Sequence, residues 1–287
     1  MPMFSSGSPL ADNDDDDDEP ALYFGLSGGV QTWTFEETSL GLAAVIISYL
    51  ILVLKILPSF MKNRQPLHLK KTLLFYNIFQ VFFSFYAVFL YTRYIMRHGL
   101  IITRCPKGED LLVVITEIMP YFLAKHLDLL DTVFFVLRKK DNQVTFLHVF
   151  HHALMVTWAW FYRFYHPTDH FVVVGLINSF VHVLMYAYYG ISSLGPDYAK
   201  YVWWKKHLTK VQLIQFILVE ASLYFQQKLT PCPIPSLFHY FSVSSIASFF
   251  ILFMNFYLKS YFSKSKKKTP EKGVEKNDMF VCAIKSK

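Results

Sequence analysis

The sequence predicts an all-α polytopic membrane protein, in which seven transmembrane helices surround an intramembrane chamber. Of its 287 residues, 53% are hydrophobic and only 17% are charged, and the mean hydropathy is +0.30. A soluble domain averages about 25% charged residues. A spanning helix needs roughly 20 mostly apolar residues, and seven such runs, separated by charged loops, follow one another along the chain.

Each predicted span is an apolar run that ends at charged residues, proline or glycine. The runs cover residues 39–57, 72–92, 111–137, 144–163, 171–190, 208–227 and 237–260. Pro58 follows the first run, and Gly195-Pro196 follows the fifth, where proline and glycine favour a helix end. Pro120 lies inside the third run and predicts a kink there, because proline removes a backbone hydrogen bond.

Polar tails flank the predicted helical domain of residues 36–262. Residues 1–35 contain the acidic run Asp14 to Asp18 and are predicted to be disordered, because a charged segment of low hydrophobicity cannot bury a core. This acidic start does not fit a cleavable signal peptide, which needs a basic start and an apolar stretch. Residues 263–287 form a basic tail that is expected near anionic lipid.

The positive charges predict which side of the membrane each loop faces. The dense Lys and Arg clusters fall in residues 58–71, 138–143, 191–207 and the C-terminal tail, all on one side of a seven-span layout. Cytosolic loops carry the excess of Lys and Arg, so this side is predicted to be cytosolic and the N-terminus non-cytosolic. The net charge of +7 therefore reflects topology and does not indicate a nucleic-acid partner.

Two cysteines, Cys105 and Cys232, lie in predicted loops on the non-cytosolic side. That compartment permits disulfides, so we expect a bridge between the loop after the second span and the loop before the seventh. Two unpaired thiols are the alternative. Three cysteines in total are too few for a cysteine-rich scaffold or a zinc cluster.

Polar residues recur in four of the predicted spans, where ionisable groups either pair with each other or mark a functional site. They are Lys125, Asp128 and Asp131 in the third span, His148, His151 and His152 in the fourth, Asn178, His182, Tyr186 and Tyr189 in the fifth, and Gln212 in the sixth. Residues three or four apart share a helix face, so the three histidines of the fourth span project together. We interpret the set as one reaction site, with ion pairs that lock helices together as the alternative.

Histidine clusters serve either metal binding or organic catalysis. The pattern His-x-x-His-His also occurs in membrane di-iron oxygenases and desaturases, but these need several such boxes and the 11 histidines here form only one. A single zinc ion is an alternative because imidazole and carboxylate suit it, although we predict no bound metal. A histidine can instead act as a base or a nucleophile. A seven-span transporter is a further alternative, but the two halves show no repeat.

Four motifs place these residues at characteristic spacings. They are Lys125-x-x-Asp128-x-x-Asp131-Thr132, Gln143-x-x-Phe146-Leu147-His148-x-x-His151-His152, Asn178-x-x-x-His182-x-x-Met185-Tyr186-x-Tyr188-Tyr189 and Thr209-x-x-Gln212-x-x-Gln215-Phe216. With them, the sequence resembles the fatty-acid elongases, the very-long-chain 3-oxoacyl-CoA synthases of the endoplasmic reticulum, over roughly residues 30–262. One departure is Asp128, where that family usually has Glu. The shorter carboxylate is expected to leave a pairing partner out of reach.

The resemblance implies a decarboxylating Claisen condensation of a long-chain acyl-CoA with malonyl-CoA, which gives 3-oxoacyl-CoA, carbon dioxide and free CoA. His151 is the expected nucleophile that takes the acyl group. His182 is the expected base or partner that handles malonyl-CoA. The other expected roles are orientation by His148 and His152, oxyanion donation by Asn178 and Tyr186, and helix packing by Lys125 and Asp131.

The implied substrates combine CoA phosphates with a long acyl chain. Basic residues at the predicted cytosolic ends of the spans would attract CoA, although they could equally be ordinary topological charge: Arg138, Lys139, Lys140, Lys205 and Lys206. Gln143, Tyr189 and Gln212 complete the predicted substrate-binding set, and no cofactor is expected. The resemblance further implies the endoplasmic reticulum membrane, in which the charge pattern predicts a lumenal N-terminus and a cytosolic C-terminus. The sequence leaves the oligomeric state open, with a homodimer as one possibility. A 3-oxoacyl-CoA reductase and a 3-hydroxyacyl-CoA dehydratase are the implied partner enzymes.

Overall fold

The computed structural model describes residues 38–101, 105, 109–165, 168–232 and 234–262, and the regular structure within these ranges is helical. The α-helices are α1 (Ser39–Met61, with a π-helical turn at Leu52–Ile56), α2 (Lys70–His98), α3 (Glu109–Leu127), α4 (Leu129–Leu137), α5 (Phe146–Trp160), α6 (His170–Ser193), α7 (Lys205–Leu229) and α8 (Ser236–Tyr261). A π-helical turn, Phe161–Tyr165, follows α5, and a 3₁₀ segment, Pro196–Val202, precedes α7. The predicted tails, residues 1–35 and 263–287, lie outside the described residues.

Five helices in the described part of the chain are long and apolar enough to cross a membrane, namely α1, α2, α6, α7 and α8. The protein therefore has the helices of an all-α, multi-pass membrane protein. The other two predicted spans are built differently. The third is divided between α3 and α4, and α5 of the fourth has only 15 residues before its π-helical turn. The seven-span count and the chamber remain predictions.

The third predicted span is interrupted at Asp128. Helix α3 continues through Pro120 to Leu127, and α4 begins at Leu129. The predicted kink at Pro120 thus does not interrupt the helix. Asp128 keeps helical backbone angles (φ −60°, ψ −22°), so the interruption is local. It places the charged side chains of this span at a junction between two helices.

Helices α2 and α6 approach each other closely because glycines of α6 face bulky residues of α2. A Cβ atom added at Gly175 would lie 2.8 Å from Cε2 of Tyr91, a fully buried ring. Small residues at such contacts are the usual means by which membrane helices pack. The packing brings Tyr76 of α2 next to Tyr186 of α6, with ring centroids 5.9 Å apart.

An apolar cluster rich in aromatic side chains connects α2, α3, α5 and α6. It includes Tyr91, Tyr121, Trp158 and Phe171. A smaller cluster joins α1 to α5 through contacts between Tyr49, Val53 and Val149. Lys125, the histidines of α5 and His182 lie on helices that these clusters connect, so ordinary apolar packing fixes the helices that carry them.

A disulfide links Cys105 to Cys232, as expected from the predicted position of both residues on one side of the membrane. It joins the segment after α2 to the segment before α8 across a sequence separation of 127 residues. A neighbouring hydrogen bond, from Gln226 Nε2 to the carbonyl oxygen of Leu100 at 2.7 Å, joins α7 to the same post-α2 segment. The two links restrain this end of the helices.

Candidate active site

Lys125, Asp128 and Asp131 surround the junction of α3 and α4. Their spacing of three puts each about one helical turn from the next, and all three are buried. Lys125 Nζ donates to Asp128 Oδ2 at 3.0 Å. Only 3% of Lys125 and 2% of Asp128 is exposed, so this ion pair is isolated from solvent. Charges buried in this way are stable only when they are paired and hydrogen-bonded.

The carboxylate of Asp128 accepts hydrogen bonds from neighbouring helices on both of its oxygens. Its Oδ1 accepts from the Tyr186 hydroxyl at 2.8 Å and from Gln80 Nε2 at 2.9 Å. Its Oδ2 accepts from Lys125, and His182 Nδ1 lies 3.6 Å away. The expectation that this shorter carboxylate leaves a partner out of reach is therefore wrong. Long side chains from α2 and α6 span the distance.

His182 completes a triangle with Lys125 and Asp128. Its Nε2 atom lies 3.3 Å from Lys125 Nζ. An ammonium group has no lone pair, so Nε2 must accept and the ring carries its proton on Nδ1. The protonated nitrogen, Nδ1, is the one that lies 3.6 Å from Asp128 Oδ2. The geometry therefore assigns His182 as a neutral imidazole held between a cation and an anion.

The hydroxyl of Tyr186 bridges two carboxyl groups. It lies 2.8 Å from Asp128 Oδ1 and 2.9 Å from Asp131 Oδ2. The hydroxyl is within donating distance of both carboxyl groups, so they share its single hydrogen. In this geometry the Tyr186 hydroxyl is engaged by the carboxyl groups and is not free for the oxyanion donation expected from the sequence.

Two residues of α2, Gln80 and Tyr76, belong to this network although no predicted motif includes them. Gln80 Nε2 contacts Asp128 and, at 3.2 Å, the hydroxyl of Tyr76. Tyr76 in turn donates to the carbonyl oxygen of Leu127, the last residue of α3, at 3.1 Å. A sequence signal does exist: Asn77, Gln80 and Ser84 recur at helical spacing in an otherwise apolar run, and all three are buried.

The predicted histidine motif occupies the first two turns of α5. Thr145 caps the helix, because its hydroxyl accepts from the backbone N–H of His148 at 3.3 Å. The rings of His148 and His152 are 4.3 Å apart between centroids, and those of His151 and His152 are 5.4 Å apart. The three imidazoles thus form one row, as their helical spacing predicts.

Thr132 connects the histidine row to the helix of the carboxylates. Its Oγ1 lies 3.0 Å from His148 Nε2 and 2.8 Å from the hydroxyl of Tyr49 on α1. Thr132 is fully buried and follows Asp131 directly in sequence. One hydroxyl therefore fixes the orientation of the first histidine ring relative to α1 and α4.

His151 differs from His148 and His182, which contact polar side chains. It is also less buried than His152, which likewise has no hydrogen bond among the described residues. Its ring lies against two phenylalanines of α8, with centroids 4.8 Å from Phe249 and 6.0 Å from Phe253. Within the described residues its imidazole makes these ring contacts but no hydrogen bond. It is also close enough to Lys125 and His182 to interact with them electrostatically. His151 is thus a half-buried imidazole near the ion cluster that no described side chain engages by hydrogen bonding.

Residues 34–269 match the model of the GNS1/SUR4 family, and this match covers most of the 287 residues. The chain belongs to this family. It is 36% identical over 244 residues to very long chain fatty acid elongase 7 of Rattus norvegicus, a match that covers 81% of this chain and 84% of that protein.

Further relatives in this GNS1/SUR4 family agree with that match. Very long chain fatty acid elongase 1 of Mus musculus is 36% identical over 259 residues, or 86% of this chain and 90% of its own length. Very long chain fatty acid elongase 5 of Xenopus laevis is 37% identical over 217 residues, or 75% and 73%. The resemblance to the fatty-acid elongases is confirmed.

The other predicted substrate-binding residues of this GNS1/SUR4 chain lie along α6 and α7 or before α5. Asn178 is buried, and its Oδ1 has no hydrogen-bond partner among the described residues. Gln212 Nε2 contacts Met185 Sδ at 3.8 Å. The ring of Tyr189 lies 6.1 Å from that of Tyr186, and Gln143 is exposed in the loop before α5. A buried polar atom without a partner is costly, so Asn178 is a candidate to contact substrate.

The basic residues that are predicted to bind CoA lie at helix ends. Arg138, Lys139 and Lys140 follow α4, and Lys139 Nζ donates to the carbonyl oxygen of Lys62 at 3.4 Å. Lys205 is exposed at the start of α7. Lys206 lies 5.1 Å from the ring centroid of Phe262, within cation–π distance. Across the described ranges, no three His, Cys, Asp or Glu side chains converge as metal ligands.

Proposed function

We propose that this protein is the condensing enzyme of fatty-acid elongation, a very-long-chain 3-oxoacyl-CoA synthase in which His151 carries the acyl group. The names of its relatives support the elongation reaction. The observation that carries the residue assignment is the division of the site into two parts. One part is the histidine row, whose His151 is free of hydrogen bonds. The other is the Lys125–Asp128–His182 triangle.

The first half-reaction transfers the acyl group of acyl-CoA to His151. A neutral ring nitrogen attacks the thioester carbonyl, the C–S bond breaks, and CoA leaves as a thiol with the proton that the imidazole gives up. The product is an acyl-imidazole, which is readily hydrolysed. Phe249 and Phe253 surround this ring with apolar surface, which limits the access of water.

The second half-reaction joins the acyl group to malonyl-CoA. Loss of carbon dioxide leaves the electron pair of the broken C–C bond on malonyl C2 as an enolate. The enolate attacks the acyl-imidazole, a C–C bond forms, and the C–N bond to His151 breaks as the imidazole takes up one proton. Lys125 and His182 are placed to handle the malonyl group. The Nδ2 amino group of Asn178, a buried residue of α6, is the candidate donor to the enolate oxygen.

The proposal extends to substrate delivery and location. Arg138, Lys139 and Lys140, together with Lys205 and Lys206, would attract the phosphates of CoA to one end of the helices. This end is assigned to the cytosol of an endoplasmic reticulum membrane, with a lumenal N-terminus, because of the positive-inside rule. A 3-oxoacyl product requires a 3-oxoacyl-CoA reductase and then a 3-hydroxyacyl-CoA dehydratase, which are the proposed partner enzymes, and a homodimer is the proposed assembly.

The deciding experiment gives purified protein a long-chain acyl-CoA and malonyl-CoA labelled in its free carboxyl group, without iron, oxygen or reductant. We expect labelled carbon dioxide and a 3-oxoacyl-CoA two carbons longer. Absence of both with every chain length tried would contradict the condensation. Acyl-CoA alone should release one CoA per active site and leave an acylated protein. Condensation without that acylated protein would reject the acyl-histidine step and retain the reaction.

A further inference from the structure

Gln80 differs from Asn77, the other buried amide of α2 that forms a hydrogen bond, in the direction of that bond. Asn77, one turn earlier, donates to the carbonyl oxygen of Leu73 in its own helix at 2.6 Å. Gln80 instead reaches out of α2 to Asp128 Oδ1, at 2.9 Å. Only 1% of Gln80 is exposed. A buried amide that bonds a charged group of another helix has a defined orientation, because leaving either partner unpaired is costly.

The contact of Gln80 determines how the Asp128 carboxylate is turned. Oδ2 faces Lys125 at 3.0 Å and His182 at 3.6 Å, while Oδ1 takes the donors from Gln80 and Tyr186. Rotation of the carboxylate about its own bond would move Oδ2 away from Lys125 and His182. Donors on Oδ1 oppose that rotation.

The amide of Gln80 is itself held in place by Tyr76. The Tyr76 hydroxyl lies 3.2 Å from Gln80 Nε2 and donates to the carbonyl oxygen of Leu127. Two side chains of α2 therefore hold the interruption between α3 and α4, one through the backbone of Leu127 and one through the side chain of Asp128. Neither lies in the histidine row.

We propose that Gln80 is a positioning residue for the condensation step: it fixes the Asp128 carboxylate so that Lys125 and His182 keep their mutual geometry. The inference rests on the proposed function, in which these two residues handle malonyl-CoA. It predicts different effects on the two half-reactions. Loss of the Gln80 contact slows the attack on the acyl-imidazole and leaves acyl transfer to His151 unchanged, because no hydrogen bond joins Gln80 to the histidine row.

The test compares Gln80→Leu with its matched control, Asn77→Leu. Both changes replace a buried amide on one face of α2 with leucine, but only the first removes a contact to Asp128. Single-turnover rates are measured separately for acylation by acyl-CoA and for condensation of the acylated protein with malonyl-CoA. For Gln80→Leu we expect condensation to slow about tenfold and acylation to stay within about twofold of wild type. For Asn77→Leu we expect both rates to stay within about twofold.

A length exchange supplies the second arm. Gln80→Asn shortens the amide by one methylene and Asp128→Glu lengthens the carboxylate by one. Each single change should slow condensation, and the double variant should recover most of the loss, because residues in direct contact show non-additive effects. Additive losses would contradict the direct contact.

The outcomes distinguish failure of the positioning role from failure of the proposed function. A wild-type protein without condensation activity overturns the proposed function and the inference with it. An active wild type whose Gln80→Leu variant slows both half-reactions together, or neither, or behaves as Asn77→Leu does, overturns the positioning role alone. A steady-state loss of kcat with kcat/KM for acyl-CoA unchanged, and with the acylation rate intact, supports it.

Discussion

The two halves of the site differ in how their polar atoms are bonded. Around Asp128, protein donors reach both carboxylate oxygens, and Tyr186 connects that group to Asp131. In the histidine row, His148 bonds Thr132, whereas His151 has ring contacts but no hydrogen bond among the described residues. A carboxylate whose two oxygens both accept hydrogen bonds is held in one orientation. An imidazole without a hydrogen bond can instead form a bond to substrate. The contrast fits the proposed function, in which the first half positions the reacting groups and the second takes the acyl group.

The largest effect is expected from His151→Ala, which removes the acyl acceptor. Acylation by acyl-CoA should fall by more than about 1,000-fold, because loss of a nucleophile removes the covalent route. The control is His126→Ala, a histidine whose Nδ1 contacts the carbonyl oxygen of Phe122 outside the network. Acyl-protein formation, followed by trapping and mass measurement, reports both. Normal acylation of the His151→Ala protein would place the acyl group elsewhere.

Removal of the bridging hydroxyl by Tyr186→Phe should have the next largest effect. Two buried carboxyl groups would lose their shared partner, and condensation should slow about 100-fold while acylation persists. The free energy of unfolding should also fall by about 2 to 4 kcal/mol. Thermal unfolding in detergent and single-turnover rates measure these quantities.

Tyr224→Phe is the control for that change, since Tyr224 is exposed on α7 and its hydroxyl lies outside the network. It should match wild type in both the rates and the unfolding temperature. Equal slowing of acylation and condensation in Tyr186→Phe would show that the two halves of the site do not act separately.

Thr132→Val should have a smaller effect, and it should slow acylation rather than condensation. Valine has nearly the same shape but cannot bond His148 or Tyr49, so the histidine row loses its link to α1 and α4. Acylation should slow about tenfold, with condensation of pre-acylated protein nearly unchanged. Thr132→Ser keeps the hydroxyl and should restore acylation. A serine variant as slow as the valine variant would indicate a packing effect instead.

Removal of the disulfide should have the smallest effect on the rates of the two half-reactions. Replacing Cys105 and Cys232 by serine opens a loop with a sequence separation of 127 residues. Stability should fall by about 4 kcal/mol, whereas both half-reactions, measured well below the unfolding temperature, should keep wild-type rates. The unfolding temperature and the two single-turnover rates test this. A selective loss of one half-reaction would mean that the disulfide end of the helices also positions the site.

Local neighbours along each helix could be predicted from the sequence, but partners across helices could not. The spacing of Lys125 and Asp128 predicts their contact, and the spacing of His148 and His152 predicts their adjacent rings. Asp128 was expected to miss a partner because its side chain is short. That error arose because its partners Gln80 and Tyr186 come from two other helices. The spacing of residues along one helix does not give the distance to a neighbouring helix.

By itself, the sequence determined the helical membrane class, the histidine row and the ionisable cluster of the third predicted span. Long apolar runs and the fixed pitch of the α-helix are enough for these. Only the tertiary structure decided that Gln80 bonds Asp128, that Thr132 bonds His148, and that the third predicted span is interrupted at Asp128. The physical reason is that a helix apolar on nearly every face carries no strong periodic signal for its rotation. Its depth and rotation follow from packing against its neighbours.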